Sequence, residues 1–139
     1  MSENEHQLEK KKSVSLKIIV VDDSELSRTT ISKILTEQGY NVVATASSAK
    51  DALKQLGSVD CNLFIVDVVM PEVGGIDLVK TLIDQGFNFK YIMISSLDLD
   101  NVVIESISSG ATDFLKKPFS SKELLDSVSR VEKIMIEEL

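Results

Sequence analysis

Three aspartates stand directly behind short apolar runs. Asp22 and Asp23 follow KIIVV at residues 17–21, and Asp67 follows LFIV at residues 63–66. Ser95 follows YIMI at residues 91–94, and Lys117 comes just after the TDFL run of residues 112–115. If these runs are strands of one parallel sheet, the carboxylates, the hydroxyl and the ammonium meet at one edge. Ligands of open α/β sheets bind at that edge, at the carboxyl ends of the strands. Carboxylates crowded in this way repel one another, and at least one stays protonated unless something neutralises them. An oxygen-rich, negatively charged pocket suits a hard divalent cation such as Mg²⁺. That ion would keep the carboxylates ionised. A carboxylate beside it can act as a nucleophile towards a phosphoryl group. Charge on the transferring oxygens can then be met by the metal, a lysine and a hydroxyl donor.

The elements that would position these groups alternate along the chain. Strands are predicted at residues 17–21, 41–46, 63–66, 91–94 and 112–115. Between and after them, apolar residues at helical spacing predict helices over 26–38, 48–56, 76–85 and 100–108, and from 120 or 121 towards 138. Gly39, Gly86 and Gly110 follow three of these stretches as stops. Ser47 or Ser48, and Ser120 or Ser121, are the N-cap candidates. Strands written as continuous apolar runs are buried on both faces. The expected class is α/β, a doubly wound five-stranded parallel sheet with helices on both faces.

Composition narrows the function. A chain of 139 residues makes one domain, and its 43% apolar share is enough for a core. Residues 1–15 read as a polar tail, neutral in balance, and residues 16–139 as the domain. Net charge is -7, which argues against non-specific nucleic-acid binding. Cys61 is the one cysteine, so an internal disulfide or a cysteine-based zinc site is excluded. It reads as a small buried hydrophobe. The one histidine, His6, lies in the polar tail, so a histidine-containing triad and a multi-histidine metal site are excluded as well. No signal peptide is visible, and the apolar runs are far too short to span a bilayer. The expectation is a cytoplasmic protein without membrane insertion.

Four segments, VVDDSELSR, IVDVVMPEVGGID, MISSL and FLKKPF, resemble the signature segments of bacterial response-regulator receiver domains. The likeness runs from residue 17 to about residue 137, in the expected order. It implies the flavodoxin-like (βα)5 fold of the CheY-like superfamily, with strand order 2-1-3-4-5. It also implies roles. Asp67 would be the phosphoacceptor. Asp22, Asp23 and Asp67 would bind Mg²⁺, with Mn²⁺ able to substitute, and the backbone carbonyl of Val69 would be a further ligand. Lys117 would pair with the phosphoryl oxygens, and with Asp67 before modification. Ser95 would hydrogen-bond the phosphoryl group, and Phe114 would swing inward as Ser95 moves. The Lys117–Pro118 peptide would be cis.

The resemblance implies a phospho-acceptor receiver of a two-component signal transduction system, a switch that catalyses only its own phosphorylation and dephosphorylation. The donor would be a sensor histidine kinase or a histidine phosphotransfer protein. Phosphorylation would switch the face made by residues 100–108, the fifth strand and the last helix, for binding of a downstream target protein. A single-domain regulator of chemotaxis or phosphorelay type fits, as a monomer that could dimerise on phosphorylation. One alternative is the receiver fragment of a larger transcriptional regulator. Another is a Mg²⁺-dependent aspartyl phosphatase, which would want a second acid where Val69 stands. A flavin or nucleotide carrier is disfavoured, since Asp22-Asp23-Ser24-Glu25 is no glycine-rich phosphate cradle.

Taken singly, each residue has a plainer reading. Asp22-Asp23 could be only a strand-ending turn. Lys117 could be a solvated lysine, Ser95 a cap and Phe114 a core aromatic. Their joint placement, with Pro71 and Gly74-Gly75 shaping the chain behind Asp67, favours the site. Val102, Val103, Ile104 and Ile107 are too many apolar residues for one narrow stripe. Either the helix buries a broad face or some of them meet a partner.

Four positions depart from the family pattern. Phe114 lacks the hydroxyl of the common tyrosine, and Ser96 stands where alanine is common. Val69 and Leu97, two residues beyond Asp67 and Ser95, flank the path of the hydrolytic water in the family and are both apolar here. Neither side chain can orient that water. Val69→Asn and Leu97→Glu are therefore expected to hasten loss of the phosphoryl group several-fold, measured as decay of the phosphoprotein after donor removal. Unchanged decay would refute this.

Overall fold

The three longest apolar runs form the centre of one sheet, and the two more polar ones form its edges. The computed structural model describes residues 13–97 and 99–139. In order, the elements are β1 (Lys17–Val21), α1 (Glu25–Glu37), β2 (Asn41–Ala46), α2 (Ala49–Gln55), β3 (Leu63–Asp67), α3 (Gly75–Asp84), β4 (Lys90–Ser95), α4 (Asp100–Ser108), β5 (Asp113–Lys116) and α5 (Ser121–Glu137). All neighbouring strands are parallel, in the order β2-β1-β3-β4-β5. The expected architecture is the observed one. Most of the tail expected over residues 1–15, including His6, lies outside the described residues. Val14 packs against the core, and the carbonyl oxygen of Ser15 accepts from Asn62 Nδ2 at 2.9 Å.

Alternation along the strands divides the core into two layers. Ile18, Val20, Leu63, Ile65, Ile92 and Ile94 face α1 and α5, meeting Ile31, Leu35, Leu124, Val128 and Val131. Ile19, Val21, Phe64, Val66, Tyr91 and Met93 face the other side, where Ala49, Ala52, Leu78, Val79 and Leu82 of α2 and α3 cover them. Cys61 is buried there, and burial, aided by the charge of Asp60, pushes its thiol up to about 11.

The helix ends follow the sequence signals. Ser24 accepts from Ser27 N–H, Ser48 from Asp51 N–H, and Ser120 makes a reciprocal capping box with Glu123. Of the two paired cap candidates, Ser48 and Ser120 are the ones used. Gly39 and Gly86 end α1 and α3 in left-handed backbone, with φ of 86° and 87°. β5 lies one residue later than residues 112–115, because its register against β4 pairs Phe114 with Met93 and Lys116 with Ser95. α4 is the exception among the helices. Ser106 is its one buried residue, while Ile104 and Ile107 are 64% and 47% exposed. The broad buried face is therefore not what forms.

Asp113 ties β5 to α5. Its carboxylate accepts from Ser127 Oγ at 2.6 Å, Arg130 Nη2 at 2.7 Å and the Phe114 N–H at 2.9 Å. Burial pushes this carboxyl up, but the hydrogen bonds from Ser127, Arg130 and Phe114 outweigh it and hold the group below the usual carboxylate range. A carboxyl with a depressed folded value stabilises the fold above its unfolded value and loses that contribution as pH falls through the folded one. Asp113→Ala is thus expected to cost roughly 1–3 kcal/mol at pH 7. The deficit should shrink below about pH 4, where the unfolded carboxyl begins to protonate. Urea denaturation across pH measures both, and a deficit that does not vary with pH would refute the linkage.

Candidate functional site

The sheet reverses its winding at β1, which has β2 on one side and β3 on the other. Beside this switch point the ends of β1 and β3 lie next to each other, since Val21 pairs with Val66. Asp22 and Asp67 come one residue further along, so parallel pairing brings the two acids together. Both are buried, Asp22 completely and Asp67 at 7% exposure. Asp23 is exposed at the rim. One carboxylate oxygen from each of the three lies within 4.8 Å of the others.

Lys117 enters from β5 on the far side of β4. Its N–H donates to the Ser95 carbonyl oxygen at 2.8 Å, which extends the ladder past Lys116. The Lys117–Pro118 peptide is cis. The ammonium donates to Asp22 Oδ2 at 2.6 Å and to Asp67 Oδ2 at 3.1 Å. Burial alone would lower this lysine, but the hydrogen bonds and charges of Asp22 and Asp67 raise it above the usual lysine value. It is therefore a cation at neutral pH.

Each carboxylate is also held by the turn behind it. Asp22 Oδ1 accepts from Ser24 N–H at 2.9 Å, and Asp67 Oδ1 from Val69 N–H at 3.1 Å. Behind Asp67 the chain must turn tightly. A side chain at Gly75 would place its Cβ 2.2 Å from the Asp67 carbonyl oxygen, so only glycine lets α3 begin there. Glu72, in the same loop, takes a left-handed φ of 68°, uncommon for a residue with a side chain. Val69 is 51% exposed beside the pocket.

Burial raises the Asp67 carboxyl above the usual carboxylate value, and the negative charge of Asp22 adds to this. The Val69 N–H and Lys117 pull the other way without winning. Three carboxylates and one ammonium leave a formal charge of about -2 if all are ionised. An all-oxygen donor set carrying that excess fits a hard divalent cation. Asp22, Asp23 and Asp67 are the residues that could hold it.

Ser95 is fully buried at the end of β4, where its Oγ accepts from Leu97 N–H at 3.0 Å. No hydrogen bond joins its hydroxyl to Asp67 or Lys117 among the described residues. Phe114 is half-buried against the core layer that contains Phe64 and Tyr91. Asp22, Asp23, Asp67 and Lys117 are thus brought into one cluster, with Val69 attached through its N–H. Ser95 stands beside them facing its own turn, and Phe114 packs elsewhere.

Two features of the site escaped the sequence reading. Arg28 Nη1 donates to the Asp22 carbonyl oxygen at 2.7 Å. A cleft of about 360 Å³ also opens beside Lys117, between α1 and the start of α5, lined in part by Leu26, Ile34, Ser96, Pro118 and Phe119. The available signal was Leu26. A stripe through Ile31, Ile34 and Leu35 extends back to residues 27 and 28, so Leu26 is an apolar residue off the buried face, and it is 77% exposed.

Residues 18–129 match the family model of the response regulator receiver domain. The chain belongs to that family. It is 31% identical over 117 residues to the chemotaxis protein CheY of Thermotoga maritima, covering 84% of this chain and 98% of that one. A CheY-like receiver structure from Methanospirillum hungatei superposes with a TM-score of 0.81 at 25% identity, covering 90% of this chain and 100% of that one. A CheX-CheY-BeF3-Mg²⁺ complex from Borrelia burgdorferi aligns with a TM-score of 0.75 at 27% identity, covering 84% and 88%. This is a CheY-like receiver domain of a two-component system, and such domains are signalling switches. Among the described residues, no helix is long and apolar enough to cross a membrane.

Among the described residues, Lys117 is the one ammonium in contact with both buried acids. Lys117→Met is expected to destabilise the metal-free protein by roughly 3 kcal/mol. That is the low end for a broken buried pair, because the lysine side chain keeps 22% exposure. Added Mg²⁺ should raise the melting temperature of the variant more than that of the wild type. Thermal denaturation with and without Mg²⁺ tests both, and a variant as stable as wild type without metal would refute the pairing argument.

Proposed function

We propose that Asp67 accepts a phosphoryl group from a phosphohistidine of a partner protein and that the resulting charge switches the α4-β5-α5 face. The observation that carries this reading is the Asp67 carboxylate itself. It is buried, raised by its surroundings and held beside Asp22 by the Lys117 ammonium, with Asp23 exposed at the rim of the same cluster.

In the transfer, an Asp67 carboxylate oxygen attacks phosphorus. The bond from phosphorus to the donor imidazole nitrogen breaks, and its electron pair leaves with the imidazole. The product is an acyl phosphate on Asp67. Mg²⁺, or Mn²⁺ in its place, would be held by Asp22, Asp23, Asp67 and the Val69 carbonyl, and would supply charge neutralisation to the phosphoryl oxygens. Lys117, already a cation at the Asp67 carboxylate, would follow those oxygens. Ser95 gives up the Leu97 N–H to donate its hydroxyl to the phosphoryl group. Phe114 then follows Ser95 inward.

The donor is a sensor histidine kinase or a histidine phosphotransfer protein. The output is capture of a downstream protein on the exposed side of α4, where Leu99, Ile104 and Ile107 offer apolar surface. The Borrelia complex, which pairs a CheY with CheX, BeF3 and Mg²⁺, supports both the metal and a protein partner. The setting is cytoplasmic.

Intact mass after incubation with acetyl phosphate tests the reading. A single phosphoryl adduct is expected in the presence of Mg²⁺, with none after chelation and none on Asp67→Asn. An adduct that persists on Asp67→Asn would assign the acceptor elsewhere. No adduct from acetyl phosphate or from phosphohistidine donors would overturn the phosphorylation reading.

A further inference from the structure

Arg28 reaches the site from outside the carboxylate cluster. It lies near the start of α1, and its Nη1 donates to the Asp22 carbonyl oxygen at 2.7 Å. That oxygen belongs to the peptide unit joining Asp22 to Asp23. The unit is bracketed by two further bonds, Asp22 N–H to the Ala46 carbonyl oxygen at 3.0 Å and Ser24 N–H to Asp22 Oδ1 at 2.9 Å.

The two neighbouring aspartates are held in different ways. The Asp22 carboxylate is fixed directly, by Lys117 and by the Ser24 N–H. Asp23 is exposed, and among the described residues no hydrogen bond or ion pair holds its side chain. Its carboxylate nevertheless lies with the others, within 4.8 Å. The direction in which Asp23 leaves the chain is therefore set by its backbone.

We propose that Arg28 is a positioning residue: by gripping the Asp22–Asp23 peptide plane, it aims the Asp23 carboxylate at the cation site that Asp22 and Asp67 complete. The inference rests on the metal reading above. Arg28 lies beyond the carboxylates and acts through the backbone that carries one of them.

Two effects of the guanidinium oppose each other. As a positive charge near the site it repels a bound cation, and as a donor it holds a ligand in place. Solvent screens the charge of a half-exposed side chain strongly. Fixed geometry is not screened, and outer partners of metal ligands typically carry 10–100-fold of metal affinity. Positioning should therefore win, and the sign of the change reports which effect does.

The test is a MgCl2 titration of the wild type, Arg28→Ala and Arg28→Lys, followed by backbone amide NMR shifts, with thermal melts confirming that each variant folds. Arg28→Ala should bind Mg²⁺ about 10-fold more weakly. Arg28→Lys, which keeps a charge and an N–H donor, should recover part of the loss. Without metal, exchange of the Ser24 amide should be faster in Arg28→Ala, because the turn it closes is no longer gripped. If Arg28→Ala fails to fold, Arg28→Met, which keeps an apolar stem and has no donor, takes its place with the same expected direction. Unchanged or tighter Mg²⁺ binding in the alanine variant would overturn the proposal. A wild type that binds no Mg²⁺ would overturn the metal reading and this inference with it, whereas a wild type that binds and a variant that binds equally would overturn only the role of Arg28.

Discussion

Two carboxylates buried at adjacent strand ends, with one ammonium between them, are the constraint on which the rest of this molecule is arranged. Burying a charge is costly unless it is paired and hydrogen-bonded. Asp22 and Asp67 meet that condition through Lys117 and through the Ser24 and Val69 N–H groups. The pairing does not neutralise the pocket, and the Asp67 carboxyl stays raised. The fold therefore holds an electrostatic imbalance at one edge, which a cation or a change in charge on Asp67 can alter.

A parallel sheet of this order assembles the cluster. Asp22, Asp67 and Lys117 are far apart in the chain, and each is delivered by the same end of a different strand. The central strands are buried on both faces, so their register cannot slip without exposing apolar side chains. Gly75 lets α3 start against the Asp67 carbonyl, which keeps the loop behind the acid tight. Asp113 anchors β5 to α5 through Ser127 and Arg130, and so steadies the strand that leads to Lys117.

α4 buries Ser106 and little else, and its isoleucines face outward. A helix with few buried contacts is the part of a fold that shifts most easily. It also follows Ser95 closely in the chain, and Ser95 is the hydroxyl that borders the acid pocket. In the proposed reading, a change in the pocket would reach this apolar surface through α4, which has one buried residue. α1 and α5, packed on Ile31, Leu35, Leu124, Val128 and Val131, form the firm side of the same molecule.

Much of this was decided by local pattern alone. Doubly apolar runs such as KIIVV and LFIV can be satisfied only as central parallel strands, and the acids behind them then have one edge to occupy. Serine caps and glycine stops marked the helix ends because they satisfy terminal N–H groups or adopt left-handed backbone. What local pattern could not decide is what depends on distance between remote groups. Lys117 prefers Asp22 over Asp67 by half an ångström, 2.6 against 3.1 Å. The Ser95 hydroxyl turns towards Leu97, and Arg28 reaches back to a backbone oxygen that no side-chain pattern encodes. The exposure of Ile104 and Ile107 follows from how α4 docks, since the same residues on a more deeply seated helix would be core. Periodicity specifies which face of an element is apolar. Only the packed structure determines how far that face is covered and which polar atoms come within hydrogen-bonding reach.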